Sequence, residues 1–227
     1  MNYQIKYEPF PVVIINLEKG EEILCQSGAM AWYSPNLEMQ TTSNGGLGKA
    51  FERMFTGESM FMNRYVARNP GYIALNAGYA GMILPIMLEP GRDIVVQKSG
   101  FLASYGRVDQ SVFFQKRLGA AFFGGEGLVM QRLSGQGIAF IEIDGAVHEQ
   151  TLGPGEQIIL DTGYLAAMDA TCKMDVQSVK GVKNVMFGGE GFFNTIVTGP
   201  GKVYIQTKPL ADLAAALKPF FPSGTSN

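Results

Sequence analysis

A pattern that occurs three times along the chain constrains the fold more than any other feature. It starts at a turn glycine, continues through a short apolar segment, and reaches a second glycine eight or nine residues later. The copies occupy residues 17–31, 88–103 and 152–166. Because each copy is too short to bury its own apolar face, a repeat of this kind predicts several similar units packed side by side.

A second motif follows each copy and places a glutamate directly after a glycine. The three pairs are Gly57-Glu58, Gly125-Glu126 and Gly189-Glu190. The glutamates are separated by 68 and then 64 residues, and a further turn glycine follows each of them by 13, 11 and 11 residues. Motifs that keep their order and spacing in three copies predict a triplicated unit.

The segments between the turns predict a β structure. They are short, rich in β-branched and aromatic residues, and bounded by Gly, Pro, Asn or Asp about every ten residues. This pattern is typical of a sandwich or barrel and not of alternating strands and helices. Short helical turns are predicted at 47–54 and 112–122, and a helix at 209–219, where Pro209 favours its start and Pro219 its end.

The domain prediction is an all-β, single compact unit over 1–227 without an interdomain linker. Its modules cover about 1–75, about 76–143 and about 144–207, and residues 208–227 form a C-terminal helix and tail.

The repeated Gly-Glu pairs are the candidate site, with two interpretations. In the first, Glu58, Glu126 and Glu190 converge near a pseudo-threefold axis and bind a cation or a cationic partner. In the second, which we favour, the glycines form a tight turn and the carboxylate accepts backbone N–H hydrogen bonds.

Catalytic and metal chemistry have little support in the composition. Two cysteines and one histidine exclude a disulfide framework and a multi-histidine metal site. Residues 45–49 (Gly-Gly-Leu-Gly-Lys) lack the spacing of a phosphate-binding loop. His148 is expected to be solvent-facing or strand-paired, and Trp32 to be a core or subunit contact. We therefore expect no enzyme activity, no cofactor and no metal.

Charge and hydropathy disfavour two further classes. The net charge of −2 lacks the basic excess that nonspecific nucleic-acid binding usually needs. The longest apolar stretch, residues 79–88, is too short to span a bilayer, and the start of the chain has no apolar signal segment. These observations predict a cytoplasmic protein with reduced thiols.

The motifs also resemble those of a known family. Gly-Gly-Glu-Gly-Leu-Val (124–129) and Gly-Gly-Glu-Gly-Phe-Phe (188–193), with the Leu-x-Pro-Gly and Ser/Thr-Gly-x-Leu-Ala repeats, resemble bacterial relatives of the mitochondrial biogenesis protein altered inheritance of mitochondria 24. That family lies in the superfamily of the tryptophan RNA-binding attenuation protein, TRAP. The resemblance covers about Tyr3 to Phe220.

It implies three tandem TRAP-like modules, each a short double-stranded β-helix or sandwich, and a homotrimer whose nine modules close into a ring. Such closure would also pair the open edges of tandem β modules.

The leading functional hypothesis is a non-catalytic homo-oligomeric scaffold or interaction module, with a protein partner that the sequence leaves open. One alternative is a ring that binds RNA or a small ligand. RNA binding would need equivalent basic side chains in every module, yet Lys49, Lys116 and Lys183 precede their box glutamates by 9, 10 and 7 residues. The other alternative is a cupin-like metal enzyme, for which one histidine is too few.

Overall fold

The computed structural model describes residues 1–42, 62–116, 127–178, 193–217 and 220–221. Strands dominate these residues, as predicted, and the C-terminal helix is present over Leu210–Leu217. The elements, in chain order, are β1 (Asn2–Lys6), β2 (Val12–Leu17), β3 (Glu22–Gln26), β4 (Met30–Tyr33), β5 (Leu37–Thr42), β6 (Met62–Ala67), β7 (Gly71–Asn76), β8 (Gly81–Leu88), β9 (Ile94–Gln97), a 3₁₀ turn (Lys98–Gly100), β10 (Phe101–Lys116), β11 (Leu128–Asp144), β12 (Val147–Leu152), β13 (Gln157–Asp161), β14 (Leu165–Asp169), β15 (Lys173–Ser178), β16 (Phe193–Thr198), β17 (Gly201–Gln206) and α1 (Leu210–Leu217).

The strands form three antiparallel sheets. The first has four strands in the order β1-β2-β7-β4, and a small sheet has the order β13-β16-β15. The third sheet has ten strands in the order β12-β17-β14-β9-β11-β10-β3-β6-β5, with β8 paired to β11. The mostly-β architecture with several antiparallel sheets is therefore confirmed.

One pairing order occurs in three consecutive stretches of six strand segments. In each stretch the first and third segments pair with the sixth, and the second and fourth pair with the fifth. The stretches are β2 to β7, β8 to β11 and β12 to β17, with β10 counting as third and fourth and β11 as fifth and sixth. Each stretch thus forms two three-stranded halves, one made of the first, third and sixth segments and the other of the second, fourth and fifth.

The first turn glycine of each sequence copy has the same backbone conformation. Gly20, Gly91 and Gly155 have φ angles of 85°, 84° and 78°, a left-handed region that other residues occupy at a cost. The turn between the first and second segments of every stretch therefore depends on glycine. This explains why the residue recurs at that place in the pattern.

The core runs continuously across the stretches. Phe140, at the middle of β11, is fully buried and packs with residues of β2, β3 and β7. Its neighbour Ile141 points to a second cluster that includes Phe101 of β10 and Ala167 of β14. Successive residues of one long strand therefore anchor two hydrophobic clusters, which ties neighbouring stretches together.

The two predicted helical turns are not observed as turns in the described residues. The helical turn predicted at 112–122 is wrong as far as Lys116, because β10 extends to that residue and pairs with β11. Gly106 and Gly135, with φ angles of 90° and 111°, twist this ladder without interrupting it, so strand pairing replaces the expected turn. The turn predicted at 47–54 lies outside the described residues.

Candidate interaction surface

Strand pairing closes both boundaries between successive stretches. At the first boundary β3 lies antiparallel to β10, and at the second β9 lies antiparallel to β14. The paired residues are Cys25 with Ala103 and Leu24 with Ser104 at the first, and Val96 with Ala167, Val95 with Met168 and Ile94 with Asp169 at the second. In both cases the second segment of one stretch pairs with the third segment of the next.

The residues at these two boundaries are buried. Along β10, the residues from Phe101 to Ala103 are fully buried and Ser104 is 3% exposed. The corresponding residues of β14, from Leu165 to Met168, are also buried. Because strands cover both sides of these segments, their backbone groups and side chains are removed from water together.

The equivalent segments at the two ends of the chain are open. Within the described residues, β4 pairs with β7 alone and β13 with β16 alone. Trp32 and Tyr33 of β4 are 43% and 40% exposed, and Ile159 of β13 is 63% exposed. We call residues 30–33 the β4 edge and residues 157–161 the β13 edge.

Neither edge carries the usual protection against strand pairing. Soluble proteins shield edge strands with charged side chains or proline. The β4 edge has no charged residue and no proline, and the charge of the β13 edge is confined to its last residue, Asp161. Both edges are therefore suited to receive another strand.

Two neighbouring carboxylates at the end of β11 form the main polar cluster. The Glu142 Oε2 atom accepts a hydrogen bond from the Gly78 backbone N–H at 2.5 Å, and the Asp144 Oδ2 atom accepts one from Leu210 N–H at 2.7 Å. Burial raises the pKa of Glu142 to about 7, and the charge of Asp144 adds to this effect. Burial also raises the pKa of Asp144. Their partners are backbone amides of the β7–β8 connection and of the start of α1, which indicates a structural role.

A third carboxylate, Glu21, holds the N-terminus. The Glu21 Oε1 atom accepts hydrogen bonds from the Tyr105 hydroxyl at 2.5 Å and from the Met1 ammonium at 3.2 Å. The tyrosine hydrogen bond is the main reason that the pKa of Glu21 is lowered, and it raises the pKa of Tyr105 in turn. The Glu21 Oε2 atom accepts a third hydrogen bond from the Glu18 backbone N–H at 2.9 Å, so this carboxylate holds chain segments together.

The structure describes only some of the residues considered for chemistry. Gly57, Glu58, Gly125, Glu126, Gly189 and Glu190 lie outside the described residues. His148 is exposed on β12, opposite Ile205. Cys25 is buried, which raises the pKa of its thiol to about 12. Across residues 1–42, 62–116, 127–178, 193–217 and 220–221, no three His, Cys, Asp or Glu side chains cluster closely enough to hold a metal.

Sequence reasoning missed the two open edges, although it considered Trp32 a core or subunit contact. At 43% exposure Trp32 does not belong to the core of the single chain. The available signal was a run of four uncharged residues, 30–33, that ends in two aromatic side chains.

The comparisons with known proteins agree with the resemblance. Residues 3–208 match the model of the family described as Mitochondrial biogenesis AIM24. The chain belongs to this family. An uncharacterized protein of Streptococcus pyogenes serotype M6, M6_Spy0233, is 30% identical over 225 residues, which is 96% of this chain and 89% of the relative. AIM24-family membership of the chain is therefore established over nearly its whole length.

A solved structure shows the same fold. The crystal structure of SPYM3_0169 from Streptococcus pyogenes superposes with a TM-score of 0.80 at 27% sequence identity, covering 97% of this chain and 99% of the other. No helix in the described part of our AIM24-family chain is long and apolar enough to cross a membrane.

Proposed function

We propose that this AIM24-family protein is a non-catalytic scaffold that assembles with copies of itself. In this proposal the chain consists of three TRAP-like modules, and three chains close into a ring of nine. The observation that carries the proposal is the contrast between boundaries: both internal ones are closed by strand pairing, whereas the chain ends present the open β4 and β13 edges.

The triplicated architecture is supported by the pairing order. Three successive stretches use the same four strand pairings, and the same turn glycine precedes the second segment of each. A chain of like units joined head to tail has one unsatisfied unit boundary at each end. Head-to-tail contacts of this kind generate rings when the rotation closes.

The non-catalytic role is supported by how the polar groups are used. Glu142 and Asp144 accept backbone hydrogen bonds, and Glu21 holds the Tyr105 hydroxyl and the N-terminus. Catalytic groups instead need a partner that activates them and space for a substrate. A scaffold needs only a rigid β frame that presents the same surfaces at regular intervals. The cytoplasmic location inferred from the sequence stays a prediction.

Light scattering after size-exclusion chromatography tests the assembly. We expect a mass about three times the 24.6 kDa of one chain. A mass of one chain at every protein concentration would contradict the proposal.

Two further measurements on the purified protein test the non-catalytic role. We expect no stoichiometric transition metal by elemental analysis, and no RNA retained at physiological ionic strength. Stoichiometric metal would favour the metal enzyme, and salt-dependent RNA retention would favour the RNA-binding ring.

A further inference from the structure

The ten-stranded sheet contains two six-stranded parts with the same arrangement, which we call composite sheets. In the first, β5-β6-β3 is joined edge to edge with β10-β11-β8, and in the second, β10-β11-β9 is joined with β14-β17-β12. Each composite consists of one half from a stretch and one half from the next. The two smaller sheets are the halves that remain unjoined. The sheet β15-β16-β13 contains the second, fourth and fifth segments of its stretch, as β5-β6-β3 does. The sheet β4-β7-β2, extended by β1, contains the first, third and sixth segments.

The counterparts of β4 can be aligned through a shared irregularity. Each third segment slips by one residue against the sixth segment, and at the two internal boundaries the residue after this slip is the first to pair with the neighbouring stretch. The slips lie between Met30 and Trp32, Phe101 and Ala103, and Leu165 and Ala167. Trp32 is therefore the counterpart of Ala103 and Ala167, and Tyr33 that of Ser104 and Met168.

The counterparts of β13 follow from the apolar segment of each copy. The three segments are Ile23-Leu24-Cys25, Ile94-Val95-Val96 and Ile158-Ile159-Leu160. Their third residues Cys25 and Val96 pair with the residue after the slip at the two internal boundaries. Leu160 is the third residue of the last segment and Ile159 the second.

We propose that the β13 edge of one copy pairs antiparallel with the β4 edge of a second copy, with Leu160 opposite Trp32 and Ile159 opposite Tyr33. This inference rests on the proposed self-assembly and deepens it by naming the two surfaces and their register. The contact reproduces a boundary that the chain already forms twice within itself.

Exposure at these positions supports a second copy as the occupant. At the internal boundaries, the counterparts of Trp32 and Tyr33 on β10 and β14 are at most 3% exposed. At the chain ends Trp32, Tyr33 and Ile159 are 40% to 63% exposed. A second copy supplies both the missing strand and the register that is already used inside the chain. The side chains of the β4 edge would then be buried as their counterparts are at the two internal boundaries.

The contact is heterologous, because each copy offers β4 to one neighbour and β13 to the other. Such a contact does not stop at a dimer, and it closes only when the last copy meets the first. This property gives the experiment its specificity. A Tyr33 position should meet an Ile159 position of another chain and never a second Tyr33.

Disulfide cross-linking tests the register. We would mix Tyr33→Cys chains with Ile159→Cys chains, allow subunits to exchange, and oxidise. The mixture should give a covalent dimer, whereas either variant alone should give none. The native thiols Cys25 and Cys172 are buried and have raised pKa values, so they should not interfere.

Gln157→Cys is the matched control, because Gln157 is two residues from Ile159 on the same side of β13. Diagonal neighbours of this kind lie about 7–8 Å apart, beyond the usual reach of a disulfide. When Gln157→Cys chains replace Ile159→Cys chains in the mixture with Tyr33→Cys chains, we expect at least about tenfold less covalent dimer. Equal yields from Gln157→Cys and Ile159→Cys would overturn the register.

A charge on the edge tests the contact independently. Ile159→Lys places an ammonium group on the β13 edge without touching the core, so the single chain should keep its circular dichroism spectrum. Its self-association should weaken by about 100-fold or more, because an unpaired charge would be buried at the contact. Met87→Lys on β8, where Met87 is 66% exposed, is the control and should assemble normally.

The outcomes separate this inference from the proposed function. A wild-type protein that stays one chain in mass contradicts both. A wild-type assembly that tolerates Ile159→Lys and gives no Tyr33–Ile159 cross-link overturns the β13–β4 contact alone. Loss of assembly in Ile159→Lys, together with the specific cross-link, supports it.

Discussion

Replacing Glu142 with glutamine should stabilise the protein at alkaline pH and leave it nearly unchanged at acidic pH. The Glu142 carboxylate is half-buried beside Asp144, and both effects raise its pKa from 4.5 to about 7. The folded state therefore holds this proton more tightly than the unfolded state does. The proton-linked stability is complete below about pH 4.5 and is lost as the pH rises through 7. A glutamine keeps an oxygen for the Gly78 N–H and carries no charge.

The size of the effect follows from the pKa difference. A rise from 4.5 to about 7 corresponds to at most about 3 kcal/mol between the two protonation states. Because solvent reaches part of the side chain, we expect about 2 kcal/mol at pH 8. For a chain of this length, that difference raises the melting temperature by about 4–8 °C.

Thermal and urea unfolding at pH 5 and pH 8 would measure this prediction, at one fixed protein concentration because the proposed assembly would add to stability. Glu156→Gln is the matched control, since the exposed Glu156 carboxylate accepts the Gly153 N–H at 2.8 Å and makes the same kind of hydrogen bond. If Glu142→Gln changed stability equally at both pH values, the buried-carboxylate explanation would be wrong.

Three further predictions test the packing, two by pairs of substitutions and one by a thiol reaction. Gly81→Ala should cost about 3 kcal/mol or more in urea unfolding, because its Cβ atom would overlap a backbone carbonyl oxygen of β11, whereas Gly155→Ala should cost about 1–2 kcal/mol through its φ of 78° alone. Phe140→Ala should cost about 3–5 kcal/mol in the same assay, and Phe10→Ala, at a side chain 68% exposed, less than about 0.5 kcal/mol. Cys25, whose pKa burial raises to about 12, should react with a thiol reagent at pH 8 only after unfolding.

Local features of this fold could be predicted from the sequence because they depend on neighbouring residues. The turns at Gly20, Gly91 and Gly155 follow from glycine's access to positive φ, and the structure has them at those three places. The C-terminal helix follows from apolar spacing and from Pro209 at its start. It begins at Leu210 and ends at Leu217.

The long strands β10 and β11 could not be predicted, because glycine occurs both in turns and where two paired strands approach closely. The turn predicted at Gly137 is wrong, because Gly137, like Gly106 and Gly135, is paired within the β10–β11 ladder. A Cβ atom on Gly135 or Gly137 would collide with a backbone carbonyl oxygen of β10. These glycines are therefore required by the close approach of two strands and not by a reversal of the chain.

The open edges differ in composition from the boundaries inside the chain, and association thermodynamics explains the difference. At the internal boundaries, Ala103 and Ala167 stand where the β4 edge has Trp32, and Ser104 or Met168 where it has Tyr33. Covalent linkage holds two neighbouring stretches together, so no large aromatic side chain is needed there. Two separate copies must also overcome the loss of translational and rotational freedom, which costs several kcal/mol. Large aromatic side chains bury more apolar surface per residue, and they are enriched at protein interfaces for this reason. In the proposed assembly, Trp32 and Tyr33 therefore lie where a contact between separate copies needs them, and their exposure in one chain is the expected cost of that position.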